Sequence, residues 1–192
     1  MAQIQIVAFI GSSRPGNATS KALAVTVDEL RQNSDIAVDV IDPAELDLRA
    51  PGTQDSEVVK ALQAKATAAT GVIISTPEYH GSYSSVIKQL IEHLGFPSTL
   101  SGKPVALLGV AAGAIGAIKS LEHLRSVCSH VGAIVLPGPV SVAGVQNAFD
   151  DQGNCTDERV EKRLRGLAHN LNDYIHQNIC PRIALEQMVR ED

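Results

Sequence analysis

Three short stretches of the chain hold the residues best suited to chemistry. The first is Gly11-Ser12-Ser13-Arg14-Pro15-Gly16-Asn17. It lies between an apolar, β-branched run, Ile4–Ile10, and a helix-like pattern with Ala22, Val25 and Leu30 in phase. A strand, a small polar loop and a helix start, in that order, offer unpaired backbone N–H groups and the positive end of a helix dipole to an anion. Ser12, Ser13, Asn17 and Thr19 add short polar groups, and Arg14 adds a fixed positive charge, so the chemistry indicated is phosphate binding. The competing reading is a strand-to-helix turn that happens to be rich in Ser and Gly. The second stretch is Pro77-Glu78-Tyr79-His80-Gly81-Ser82. Pro77 fixes one backbone angle and Gly81 allows a conformation closed to other residues. A tyrosine beside such a rigid turn can wall a flat aromatic ligand; alternatively, Glu78 caps a helix and Tyr79 simply packs. The third stretch, Ala111-Ala112-Gly113-Ala114-Ile115-Gly116, is built of small residues that let a flat ring approach the backbone, or let a helix pack closely on a strand.

Several familiar chemistries fail at particular residues. Gly11 and Gly16 have the spacing of a nucleoside-triphosphate loop, but Asn17 and Ala18 stand where that loop needs a lysine and a hydroxyl. Gly113 and Gly116 look like the end of a dinucleotide fingerprint, but Ala111 replaces its first glycine and no acid follows the next strand to hold a ribose. Gly81-Ser82-Tyr83-Ser84 lacks the second glycine of a nucleophile elbow. The six histidines, at 80, 93, 123, 130, 169 and 176, show no HExxH and no paired spacing with cysteines, which argues against a metal site.

The elements that must position these loops follow from pattern. Hydrophobic residues make up 44% of the 192, aromatics only 3% and Trp none, so the core is built from Val, Ile, Leu and Ala, as in parallel strands covered on both faces. One domain is expected, residues 1–180, with a polar C-terminal tail over 181–192. Strands are expected at 4–10, 36–41, 72–76, 105–110 and 133–136. The last is bent or interrupted by Pro137-Gly138-Pro139, with 140–145 as a possible continuation. Helices are expected over 18–32, 56–69, 84–94, from the third loop to about 131, and from Thr156, read as an N-cap, to about 178. The segment 44–54 reads as irregular and as a place for contact with another subunit. Strands alternating with helices give a parallel sheet with right-handed crossovers. In such a sheet ligands bind beyond the carboxyl ends of the strands, which puts all three unusual loops on one rim. A net charge of -5 argues against nucleic acid. The three cysteines, 128, 155 and 180, indicate a reducing compartment, and no apolar run reaches membrane-span length, so a cytoplasmic protein is expected.

Taken together, Gly11-Ser12-Ser13-Arg14 with Asn17 and Ser20, then Thr76-Pro77-Glu78-Tyr79-His80-Gly81-Ser82 and Val86-Ile87-Lys88, resemble the NADPH-dependent FMN reductases of the flavodoxin-like superfamily, over roughly Ile4 to Tyr174. The resemblance implies a three-layer α/β sandwich on a five-stranded parallel sheet of order 2-1-3-4-5. It also implies FMN as cofactor and NADPH or NADH as hydride donor. The acceptor would be a small molecule (a flavin, quinone, azo compound or oxidised metal ion), and the enzyme a homodimer or homotetramer. By the same resemblance, Ser12, Ser13, Arg14, Asn17 and Ser20 would surround the FMN phosphate. Pro77, Glu78, Tyr79, His80, Gly81 and Ser82 would border the ring and ribityl chain, and Gly113 would lie on the other side of the ring. Two departures stand out: His80 occupies a position that is usually asparagine, and Ile115 one that is often a second glycine. With the flavin carrying the hydride, no side-chain acid or base is required, in keeping with the absence of a catalytic constellation. The alternatives are an electron carrier without NAD(P)H oxidation of its own, and a non-catalytic ligand-sensing module.

Overall fold

The alternating apolar strand at the start of the chain organises both faces of the sheet. In a computed structural model describing residues 3–52 and 56–191, β1 (Ile4–Ile10) sends Ile4, Ile6, Ala8 and Ile10 into one core and Val7 and Phe9 into the other. This is the period-two consequence of the pleat. β3 (Gly71–Pro77) and β4 (Pro104–Val110) are buried at every position and divide in the same way: Ile73, Ala106 and Leu108 on the first face, Val72, Ile74, Val105 and Leu107 on the second. Burying each large side chain contributes about 1.5–3 kcal/mol, which sets the register because a one-residue slip would exchange the two faces.

The helices close the sandwich. α1 (Ala18–Arg31) and α5 (Glu158–Tyr174) cover the first face through Leu23, Val27, Leu30, Leu164, Leu167 and Leu171. α2 (Glu57–Ala68), α3 (Ser85–His93) and α4 (Ile118–His130) cover the second through Leu62, Leu90, Leu121 and Leu124. With β2 (Ile36–Ile41) outside β1, the parallel order is 2-1-3-4-5, as expected. Among the described residues no helix is long and apolar enough to cross a membrane.

The edge strand is divided. β5 (Ile134–Val135) pairs with the start of β4, Pro104↔Ile134, and β6 (Val140–Val142) with its end, Leu108↔Val140. Four steps along β4 are therefore matched by six along the edge, and Pro137-Gly138-Pro139 holds the excess, with Gly138 at φ 76°. Proline lacks the N–H needed to continue the ladder.

Three expectations need correction. The N-cap of α5 is Asp157, not Thr156: its carboxylate accepts from the N–H groups of Arg159 and Val160. The last helical segment does not end near 178 in a loose polar tail, because a π-turn over Ile175–Ile179 leads into α6 (Cys180–Glu191). Pro181 cannot donate an N–H and its ring crowds an α-helical turn, and the wider turn, closed by Cys180 N–H to Ile175 O, accommodates it. The tail is also not wholly polar, since Leu185, Met188 and Val189 lie exposed on α6. In the stretch expected to be irregular, Pro43–Glu45 forms one 3-10 turn. The end of that stretch, at Gln54, lies outside the described residues.

Candidate functional site

The first loop is held by its own side chains. Gly11 follows β1 directly; a Cβ there would lie 2.3 Å from Ser75 O and 2.9 Å from Thr76 Cα, so only glycine permits this approach to β3. Ser84 Oγ donates to Gly11 O at 2.6 Å, fastening the loop to the N-cap of α3. Asn17 is the N-cap of α1. Its Oδ1 accepts from Ser20 N at 2.8 Å, and its Nδ2 donates to Arg14 O at 2.8 Å and Ser12 O at 3.4 Å. Ser20 Oγ donates back to Asn17 O at 2.8 Å. The side chains of Asn17 and Ser20 thus shape the loop. The N–H groups of Ala18 and Thr19, in the first turn of α1, have no acceptor among the described residues. With the hydroxyls of buried Ser12 and exposed Ser13 and the exposed guanidinium of Arg14, they form a donor set suited to a phosphate.

The second loop is a closed turn. Tyr79 N–H donates to Ser82 O at 2.9 Å and Ser82 N–H to Tyr79 O at 3.0 Å, with φ of 50° at His80 and 74° at Gly81. Positive φ at both central residues is the type I′ geometry, which asparagine and glycine favour. Among the described residues, His80 is the one non-glycine with positive φ, and histidine is, with asparagine and aspartate, enriched there. The departure at position 80 therefore preserves the backbone requirement. Pro77 is buried at the end of β3, and Glu78 N–H continues the sheet by donating to Val110 O at 2.9 Å. The Glu78 carboxylate turns away to another element: its Oε2 accepts from Ser120 N at 3.1 Å in the first turn of α4. The N-cap of α4, Ala117, has no side chain able to do this. The capping alternative for Glu78 is thus observed, although the helix is α4 and not the one that follows the loop.

The third loop completes the rim. Gly116 has φ 80°, and a Cβ on it would lie 2.5 Å from Ser141 Oγ, the atom that accepts from Ala117 N at 2.8 Å. Gly113 O accepts from the N–H groups of Gly116 and Gly144, both at 3.2 Å, while a Cβ on Gly113 would meet nothing within 4 Å. The space in front of Gly113 is open, as a flat ring lying against backbone requires.

Loops one and two meet. The Arg14 guanidinium carbon lies 4.9 Å from the centroid of the Tyr79 ring, a cation–π contact. On the other side, Ser82 Oγ is 3.1 Å from His123 Nδ1 on α4, and a Cβ on Gly81 would be 3.5 Å from Lys119 Cδ. Three exposed apolar side chains, Tyr79, Ile115 and Ile118, stand on these loops and at the start of α4. A separate cavity of about 270 Å³ lies at the amino ends of the strands, beside Ile4, Thr70, Cys180 and Ile183. It is remote from the converging polar groups.

Sequence reasoning placed the three loops but missed their fasteners. Ser84 was legible as an N-cap ahead of an apolar helix. Ser120, Ser141, Lys119 and His123 gave no local signal, because their partners are far away along the chain.

Residues 4–148 match the model of the family described as NADPH-dependent FMN reductase. A 2-hydroxy-1,4-benzoquinone reductase from Burkholderia sp is 30% identical over 168 residues, 84% of this chain and 91% of that protein. An FMN-dependent NADPH-azoreductase from Staphylococcus aureus is 30% identical over 180 residues, 88% of this chain and 94% of that protein. Among solved structures, FerB, a flavoenzyme NAD(P)H:(acceptor) oxidoreductase from Paracoccus denitrificans, superposes with a TM-score of 0.76 at 25% identity, covering 91% of this chain and 98% of that one. The chain belongs to the NADPH-dependent FMN reductase family and is a flavin-dependent NAD(P)H oxidoreductase.

Proposed function

We propose that this enzyme uses NADPH to reduce quinones or azo compounds, with its FMN lying across the rim formed by the three loops. The observation that carries the assignment of residues is the contact of Arg14 with Tyr79, which joins the phosphate-suited loop to the turn that would flank the ring. In this reading Ser12, Ser13 and Arg14 and the free N–H groups of Ala18 and Thr19 hold the phosphate. Asn17 and Ser20 keep that loop in shape. Pro77 to Ser82 border one side of the ring through a turn whose backbone is fixed by two internal hydrogen bonds, and the open backbone at Gly113 lies on the other.

FMN, when bound, supplies the hydride-carrying ring, so that the net reaction is NADPH + H⁺ + quinone → NADP⁺ + hydroquinone. The chain's residues position and enclose. Arg14 neutralises the phosphate, the Tyr79–Ser82 turn sets one wall, and Ile115 and Ile118 offer apolar surface to an aromatic acceptor. The quinone and azo acceptors named for the two relatives, both matched over most of their length, support the acceptor class. The assembly is read as a homodimer or homotetramer in the cytoplasm, in keeping with three unpaired cysteines. The test is an absorbance spectrum of the purified protein followed by NADPH oxidation with 1,4-naphthoquinone and with a simple azo dye. A yellow protein that consumes NADPH only when an acceptor is present is expected. A protein that neither takes up FMN nor oxidises NADPH would refute the reading.

A further inference from the structure

Two basic side chains of α4 lie against the outer side of the Tyr79–Ser82 turn. Lys119 and His123 are one helical turn apart and so share a face of α4. The Lys119 stem passes over Gly81, with Cδ 3.5 Å from where a Cβ would stand, and His123 Nδ1 meets Ser82 Oγ at 3.1 Å. In the tautomer in which the Ser82 hydroxyl donates to Nδ1, the imidazole carries its proton on Nε2, a donor for an anionic oxygen. Both residues are exposed, and among the described residues neither makes an ion pair. Of the acids nearby, Glu78 is engaged with Ser120 N, and Glu122, one turn after Lys119 on α4, makes no ion pair with either side chain among the described residues. Arg14 stands at the other end of the same turn, over Tyr79. A protein of net charge -5 therefore presents, around one turn of its site, three basic side chains next to the exposed apolar groups Tyr79, Ile115 and Ile118.

We infer that Lys119 and His123 form an anion-recognising subsite at the edge of the ring-binding slot, selecting flat aromatic molecules that carry a negative charge. The inference rests on the proposed function, and it names the class of molecule that site prefers. An ionised hydroxyquinone is such a molecule, because its hydroxyl is a vinylogous carboxylic acid, and one relative is named for reducing one. The 2′-phosphate of NADPH carries the same kind of charge, so donor and acceptor must be tested apart.

The experiment compares the FMN-loaded wild type with Lys119→Gln, Lys119→Arg and His123→Gln. The acceptor arm takes the ratio of kcat/KM for 2-hydroxy-1,4-naphthoquinone, anionic at neutral pH, to that for neutral 1,4-naphthoquinone. Loss of one charge near 4 Å in water corresponds to about a fivefold change, so Lys119→Gln is expected to lower the ratio about fivefold and Lys119→Arg to restore it. The ratio in the wild type should also fall as salt is raised. The donor arm takes the ratio of kcat/KM for NADPH to that for NADH in the same variants. A fall confined to the donor ratio would assign the subsite to the 2′-phosphate, and a fall in the acceptor ratio assigns it to the acceptor. If neither ratio moves, the inference is overturned. Calorimetric binding of 2-hydroxy-1,4-naphthoquinone to the oxidised protein supplies a readout without turnover, and the Lys119→Gln variant should bind it about fivefold more weakly. A wild type that oxidises neither nucleotide would sink the proposed function instead, and the calorimetry would still decide on the subsite.

Discussion

Glu78→Ala is expected to loosen the site through a helix that the residue does not belong to. α4 begins after Ala117, which offers no side-chain acceptor, and Glu78 Oε2 takes that role for Ser120 N at 3.1 Å. Removing an N-cap acceptor costs about 0.5–2 kcal/mol, and removing a negative charge from a helix N-terminus about 0.3–1 kcal/mol. Glu78→Ala should therefore cost about 1–2.5 kcal/mol. Glu78→Gln, which keeps an acceptor and loses only the charge, should cost about 0.3–1 kcal/mol. For a chain of this size each kcal/mol moves the melting temperature by about 2–4 °C, so the alanine variant should melt roughly 2–10 °C lower and the glutamine variant roughly 1–4 °C lower. Differential scanning calorimetry of the FMN-free protein isolates the effect from cofactor binding. An alanine variant that melts with the wild type would refute the capping argument. A glutamine variant that falls as far as the alanine one would show that charge, not hydrogen bonding, dominates.

Arg14→Ala should weaken FMN binding by about 1.5–3 kcal/mol, the worth of a charge-assisted hydrogen bond; unchanged affinity by fluorescence titration would remove Arg14 from the phosphate site. Gly11→Ala forces a Cβ toward the backbone of Ser75 and Thr76 and should cost about 3 kcal/mol, read as a lowered urea midpoint. At position 80, His80→Asn should be neutral to within about 0.5 kcal/mol, whereas His80→Val should lose about 1–2 kcal/mol because β-branched residues resist positive φ; equal midpoints for the two would contradict the type I′ turn. Cys128 is buried and its thiol is pushed up to about 12 by desolvation, so it should resist iodoacetamide at pH 8 until the protein is unfolded. Mass spectrometry showing Cys128 labelled as fast as the partly exposed Cys180 would contradict that burial.

What could be read from the chain alone followed the range of the interactions. The alternation in Ile4–Ile10 and the continuous apolar runs of β3 and β4 determine a parallel sheet, and the loops after them stand out by composition. The capping of α5 misled because Thr156 and Asp157 are both good caps, and only the backbone shows which one accepts. The continuation past 178 is hidden from the sequence because an α-helical turn cannot take Pro181, whereas a π-turn can. The partners of Glu78, Ser82 and Ala117 could not be read at all, since each bond spans between 24 and 42 residues and depends on how β4, α4 and β6 settle on one another.

The divided edge strand has a consequence for how the site opens. β5 belongs to the scaffold, but β6 delivers Ser141 to the Ala117 amide, and so holds the start of α4 from the side opposite Glu78. The first turn of α4 therefore takes both of its side-chain acceptors from outside the helix, one from β6 and one from the residue after β3. The Ala117 and Ser120 amide protons become paired reporters of those two contacts. In native-state hydrogen exchange they should open together, ahead of the β1 and β3 amides, marking the site as a cooperative unit less stable than the sheet that carries it.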